Sequence, residues 1–227
     1  MNFVEGEVLL FDKPYQWTSF DLVRKVRNMI KAKINVSKIK VGHAGTLDPL
    51  ATGLMIVCTG KCTKQIDSYQ SQEKEYIAGI LIGKTTPSFD LEKEYDKEYP
   101  TEHITKKLVE NILKTFLGDS DQIPPVFSAK FIDGKRAYEF ARKGQEVEMK
   151  PSKINIRVVE LLSYDMPEIK IRVCCSKGTY IRSLVRDIGE RLNSGATMIS
   201  LQRTAIGSYQ LNNAISIEEF QNKLALL

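Results

Sequence analysis

Between Lys153 and Gly195 the chain sets down two strands and then a helix, with no helix separating the strands, and that order narrows the fold. KINIRVVELLSYD (153–165) and EIKIRVCC (168–175) each read as a strand, and Met166-Pro167 lets them turn into a hairpin. The segment 179–193 is the best helix in the chain. It places Ile181, Leu184, Val185, Ile188 and Leu192 at i, i+3, i+4, i+7 and i+11, with Gly195 just past its end. Elsewhere, VLLFD (8–12), LMIVC (54–58), EYIAGILIG (75–83) and a pair near 198–211 read as strands. Thr18 and Ser19 can cap a helix running to about Ala32 with Leu22, Val26 and Ile30 on one face, and ITKKLVENILKTF (104–116) has helical spacing. Ser216 and Glu219 form a capping box for a C-terminal helix. Strands and helices do not alternate strictly, so the predicted class is α+β rather than a doubly wound sheet.

The 227 residues suffice for one large domain or two small ones. The stretch 121–152, with Pro124-Pro125 and many charges, reads as an insertion carrying one short helix at about 135–143. No apolar run approaches the roughly 20 residues that span a bilayer, and the N-terminus lacks a secretion signal, which predicts a cytoplasmic protein. Cys58, Cys62, Cys174 and Cys175 have neither zinc-ribbon nor redox spacing, and the two histidines, His43 and His103, are far apart. Reduced, packed thiols and no metal site are predicted.

Charge is local. Seven of the 33 Lys and Arg residues fall in 22–40 with no acid among them, leaving 26 to face 28 acidic residues. Such a stretch fits a polyanion partner, whose counterions it would release, or a solvated helix face.

The loop GHAGTLDPLATG (42–53) carries the chemistry. Asp48 is the single acid between Leu22 and Ile66, among nine Lys or Arg. That cationic field favours the charged carboxylate, Pro49 biases Asp48 toward extended backbone, and the flanking glycines admit a planar ligand. On loop chemistry alone, an aspartate here is more often a turn or capping residue than a catalyst. A phosphate-cradling loop is excluded, because Gly60-Lys61 is followed by Cys62 and lacks its upstream glycine.

The same loop resembles the catalytic motif of the TruB-type tRNA pseudouridine synthases, which act on the uridine at position 55 of the T-loop. Four further segments, in order, are similar to that family's motifs: LFDKPYQWTSFDLVRKVR (10–27), Lys74-Glu75-Tyr76, IPPVFSAKFIDGKRAYEFARKG (123–144) and CSKGTYIRSLVRDIG (175–189). The resemblance implies a mixed, mainly antiparallel pseudouridine-synthase sheet flanked by helices, forming a single catalytic domain over 1–227 with an RNA-binding insertion. It implies that Asp48, Tyr76 and Arg182 are catalytic, with Arg182 pairing Asp48 and Tyr76 stacking on the target base. His43, Tyr180, Lys13, Lys64 and Leu201 would bind substrate, His43 by stacking in the opened T-loop. The C1′–N1 bond breaks, uracil rotates and C5 joins C1′, a redox-neutral change needing no cofactor.

Read without the family, Tyr76 is an ordinary strand aromatic, His43 a surface or capping residue, and Arg182 a cation facing solvent and Glu190 at the wrong end of a helix dipole. The partners implied are the T-arm and T-loop of tRNA, with no membrane, no guide RNA and a monomeric enzyme. Many bacterial members carry a C-terminal PUA domain, for which this chain leaves no room before Leu227, so weaker acceptor-stem contact is expected. Asp90 matches a family aspartate, but the following LEK departs from the family continuation. The rival reading is an RNA-folding factor that opens tRNA without chemistry.

Overall fold

The computed structural model describes residues 1–128, 130–132, 135–137, 140 and 148–227. Leaving aside two-residue ladders, the strands are β1 (Val8–Lys13), β2 (Val41–His43), β3 (Ala51–Thr59), β4 (Lys74–Ile82), β5 (Gly118–Gln122), β6 (Ser152–Asp165), β7 (Glu168–Cys175), β8 (Ala196–Ile206) and β9 (Tyr209–Gln210). The helices are α1 (Ser19–Ile34), α2 (Ile66–Ser71), α3 (Lys106–Lys114), α4 (Ile181–Arg191) and α5 (Ile217–Ala225). The chain divides into two compact units, Met1–Tyr76 with Leu201–Leu227, and Ile77–Ser200.

In the first unit β3 is buried along nearly its whole length, with a strand along most of one edge and strands at both ends of the other. β1 runs antiparallel along one edge, from Val8 opposite Cys58 to Lys13 opposite Gly53. The other edge is shared. β2 pairs antiparallel with residues 57–59 of β3, and Leu201–Arg203 of β8 pair parallel with Ala51–Gly53. Between these partial partners, among the described residues, residues 54–56 of β3 have no strand beside them on that edge, and the loop from Ala44 to Leu50 leaves β2 there. Leu54, Ile56, Cys58, Ala44 and Ile206 form a fully buried cluster. α1 buries Leu22, Val26 and Ile30, as its spacing predicts, and runs two residues beyond Ala32 until Asn35 closes it in the left-handed region. Phe220 of α5 meets Phe11 and Phe3 edge-on.

In the second unit β6 and β7 form the expected antiparallel hairpin, and β5 pairs antiparallel with the start of β6. Ile169, Ile171 and Val173 alternate inward along β7. α4 buries Ile181, Leu184, Val185 and Ile188, but is shorter than the 179–193 expected, since Tyr180 is extended and Leu192 already closes the last turn. α3 begins at Lys106, where the Thr105 side chain caps it, so Ile104 is buried outside the helix. The architecture is α+β, with a mixed, mainly antiparallel arrangement of strands. Two limits of the expected insertion move: Asp121 and Gln122 are strand residues facing Lys153 and Ser152, because the ladder continues past the predicted boundary. The short helix expected at about 135–143 lies largely outside the described residues. Among the described residues no helix is long and apolar enough to cross a membrane.

Candidate active site

The Asp48 loop hangs on two buried cations. Lys13, at the end of β1, is 0% exposed, and its Nζ donates to the carbonyls of Trp17 at 2.6 Å, Pro14 at 2.9 Å and Pro49 at 3.3 Å. Three carbonyl acceptors match the three protons of an ammonium. Burial pushes this ammonium down to about 8, the Asp48 carboxylate pulls it back up, and Arg203 lowers it further. Arg203 is 1% exposed and fills the unpaired edge of β3: its Nε donates to Leu54 O at 2.8 Å and its Nη2 to Gly45 O at 3.1 Å. The same gap is bridged once by backbone, Ala44 N donating to Ile56 O at 2.9 Å.

Side-chain and backbone clasps complete the loop. The Leu47 amide donates to Ser19 Oγ at 2.8 Å, and that hydroxyl donates to Leu47 O at 3.0 Å. Ala51 N donates to Asp48 O at 3.1 Å and Gln16 N to Pro49 O at 2.9 Å. Gly53 has φ +104°, and a Cβ there would lie 2.4 Å from Arg203 O, so no other residue fits this crossing. Asp48 itself is half-buried on a backbone restrained on both sides.

His43 ends β2 and is half-buried. Burial lowers its pKa, the Arg203 charge lowers it further, and the Gly45 backbone opposes both without completing a hydrogen bond to the buried Nδ1. A neutral ring suits stacking. Tyr76 lies on β4 and is buried; its neighbour Lys74 donates to Gln70 O and Gln72 O, and Glu75 accepts from Thr204 Oγ1. Leu201 is buried opposite Ala51, the residue after the loop. Lys64 is exposed on the 3-10 turn Gly60–Gln65, and no described contact joins it to the loop.

In the second unit Arg182 departs from the solvent-facing alternative. It sits in the first turn of α4 yet is 4% exposed, because its guanidinium turns inward to Phe127 O at 2.9 Å, with Ser88 O at 3.5 Å. Its Nε lies 3.6 Å from the buried Asp90 Oδ2. Arg186, one turn on, is the residue that meets Glu190, at 3.8 Å, and Asp187, at 2.6 Å. Tyr180 is half-buried and clasped through its backbone by Gln122, which accepts from Tyr180 N at 2.8 Å and donates to Tyr180 O at 3.0 Å.

The first unit therefore gathers Lys13, His43 and Asp48 about one loop, and the second sets Tyr180 and Arg182 at the start of one helix. Arg203, Ser19 and Gln122 escaped the sequence reading. Arg203 falls in a strand where an arginine carries no signal of burial, and Ser19 reads as a capping residue. Among the described residues no group of three His, Cys, Asp or Glu is placed to hold a metal ion.

The chain matches two adjoining family profiles: the TruB family pseudouridylate synthase N-terminal domain over residues 27–181, and the tRNA pseudouridylate synthase B C-terminal domain over 182–227. It is 62% identical over 224 residues to tRNA pseudouridine synthase B of Parabacteroides distasonis, covering 99% of this chain and 95% of that one. The protein of the same name from Flavobacterium johnsoniae is 51% identical, with 98% of each chain covered. Among solved structures, one in a Cbf5-Nop10-Gar1 complex superposes with a TM-score of 0.72 at 26% identity, over 97% of this chain and 54% of that one. By sequence over nearly its whole length, the chain belongs to the TruB family of pseudouridylate synthases.

Proposed function

We propose that this chain isomerises uridine 55 in the T-loop of tRNA to pseudouridine, with Asp48 as the catalytic carboxylate. The observation that carries the reading is the Asp48 loop, clamped by buried Lys13 and Arg203 in a chain whose close relatives are named tRNA pseudouridine synthase B. Clamping the backbone fixes where the carboxylate points before substrate arrives, which is how a site lowers the cost of reaching its reactive geometry.

In the reaction Asp48 supplies the anionic oxygen that labilises the C1′–N1 bond. The freed uracil turns in place, C5 bonds to C1′, the C5 proton leaves and N1 takes one up, so the base gains and loses nothing overall. Arg182 is the partner cation of this chemistry and Tyr76 stacks on the base, since a phenol with pKa about 10 is a weak base at neutral pH. His43 stacks in the opened loop as a neutral ring, while Tyr180, Lys13, Lys64 and Leu201 line or support the substrate path. Extruding the uridine costs a few kcal/mol, offset by stacking and by phosphate contacts to the basic 22–40 segment. We read 1–227 as one catalytic domain acting in the cytoplasm as a monomer, without guide RNA, with the segment between Gln122 and Ser152 adding RNA contact.

The test uses unmodified tRNA carrying tritium at uridine C5. Wild-type protein releases tritium in step with pseudouridine formation at position 55, and Asp48→Asn loses release by about 10³-fold or more while still binding tRNA. Equal release from both proteins would remove Asp48 from the chemistry. No release from either, with tRNA still bound, would favour the folding factor.

A further inference from the structure

The first unit carries a groove that the chemistry at Asp48 does not use. Gln16 and Trp17 close one end, and Asp21, Arg24, Lys25 and Asn28 line it along α1, enclosing about 390 Å³. The last four stand at i, i+3, i+4 and i+7, the spacing that puts side chains on one helix face. This polar stripe lies beside the buried stripe of Leu22, Val26 and Ile30. The volume falls within the roughly 300–1,000 Å³ of small-ligand sites.

Its floor is preorganised. Gln16 holds φ +65°, a left-handed conformation that a residue with a Cβ adopts at a cost of about 1 kcal/mol, and its N–H is tied to Pro49 O, one residue beyond Asp48. Lys13 holds Trp17 O and Pro49 O with the same ammonium. One end of the groove is thus fastened to the backbone of the Asp48 loop. Asp21 is occupied: it accepts from Thr18 N and Thr18 Oγ1 and pairs with Arg24 at 2.8 Å. Lys25 is exposed and Arg24 keeps 60% of its side-chain surface exposed, so two cations against the one Asp21 carboxylate give the groove net positive charge. Beside it Phe20 is 61% exposed, with the Arg24 guanidinium 5.9 Å from its ring centre.

We propose that this groove seats a nucleotide of the substrate RNA other than the reacting uridine. Arg24 and Lys25 meet its phosphate, the Trp17 and Phe20 rings offer stacking faces, and the Gln16 and Asn28 amides meet a base edge. Cations for the phosphate, rings for the base and amides that both donate and accept are the set by which proteins hold unpaired nucleotides. An acidic peptide would use the cations but leave the rings and amides without a role. The proposal rests on the reading of the chain as an RNA-modifying enzyme, and its tests separate the two.

The full chain and its Arg24→Ala/Lys25→Ala variant are compared by tritium release from the unmodified transcript across a range of salt. KM rises about tenfold and kcat stays within about twofold, and the slope of log KM against log salt falls by about 0.7, the share of the one single-strand phosphate that both cations meet. Lys106→Ala/Lys107→Ala, the same charge loss on α3, shifts KM less than twofold. Irradiating wild-type protein with a transcript containing 4-thiouridine labels the peptide spanning residues 15–28, and excess unlabelled transcript, but not polyglutamate, competes. An unchanged KM and salt slope, an equal effect of the α3 variant, no label on that peptide, or equal competition by polyglutamate overturns the proposal. Absence of tritium release from wild type refutes the isomerase reading and leaves the crosslink result readable.

Discussion

The two units hold their principal candidate residues in opposite ways. Around Asp48, buried cations reach backbone carbonyls, so the charge that fixes the loop lies beneath it and the carboxylate is carried on a restrained frame. At the start of α4, the candidate residue is itself the buried cation, turned onto Phe127 O and beside Asp90, and a neutral amide, Gln122, does the fastening. A charged support costs more to bury than a neutral one, and breaking it costs more too. The Asp48 loop should therefore be more sensitive to loss of its support, and to pH, than the Tyr180 backbone that Gln122 fastens.

The largest effect that would separate them is on chemistry. Asp48→Asn should lower tritium release by about 10³-fold or more, while the loop keeps the clasps made by Lys13, Arg203 and Ser19. Arg182→Gln should lower release by about 10²-fold and also destabilise the fold by about 2–4 kcal/mol, since Asp90 would be left buried without its cation. If Arg182→Gln matched wild type in denaturant midpoint, the buried pair would not be the support inferred here.

Lys13→Met comes next. Removing the ammonium strands the Pro14, Trp17 and Pro49 carbonyls, for a loss of about 3 kcal/mol in urea unfolding and a kcat reduced more than KM is raised. Gln122→Ala removes two neutral hydrogen bonds and should cost only about 1–2 kcal/mol. Equal losses from the two would erase the distinction between a charged and a neutral support.

The pH dependence sharpens the contrast further. Lys13 titrates at about 8 in the folded chain against its ordinary 10.5. Below pH 8 both folded and unfolded states carry the proton. Between about 8 and 10.5 the unfolded state holds more protons, so Lys13's contribution to stability becomes more favourable as pH rises. Function should move the other way. A neutral amine has two N–H groups for three carbonyls, so kcat should fall as pH rises through about 8, and a stopped-time assay from pH 7 to 9.5 reads it. A flat profile over that range, with Lys13→Met still impaired, would assign Lys13 a purely steric role.

Much of the local structure was legible in the residues. The Thr18 and Ser216 caps, the inward faces of α1 and α4 and the β6–β7 hairpin all follow from patterns that a few neighbouring residues complete. The Asp48 loop was visible for the same reason, as a run of glycines and small residues around one acid. Arg182 was singled out, but its burial was not foreseeable, because the carbonyls and carboxylate that receive it lie 55 and more positions away.

Sequence by itself determined which segments become helices or strands, where α1 and α5 start, and that one acid would sit alone in a cationic stretch, since propensity, capping and periodicity act within a turn or two. Only the tertiary structure decided that Lys13 and Arg203 would be interior cations serving the Asp48 loop, and that Asp90 would lie beside Arg182. A lysine or arginine pattern is the same whether the side chain is solvated or buried. The difference is made by acceptors that folding brings near, as Leu54 and Gly45 come to Arg203 from 149 and 158 positions away.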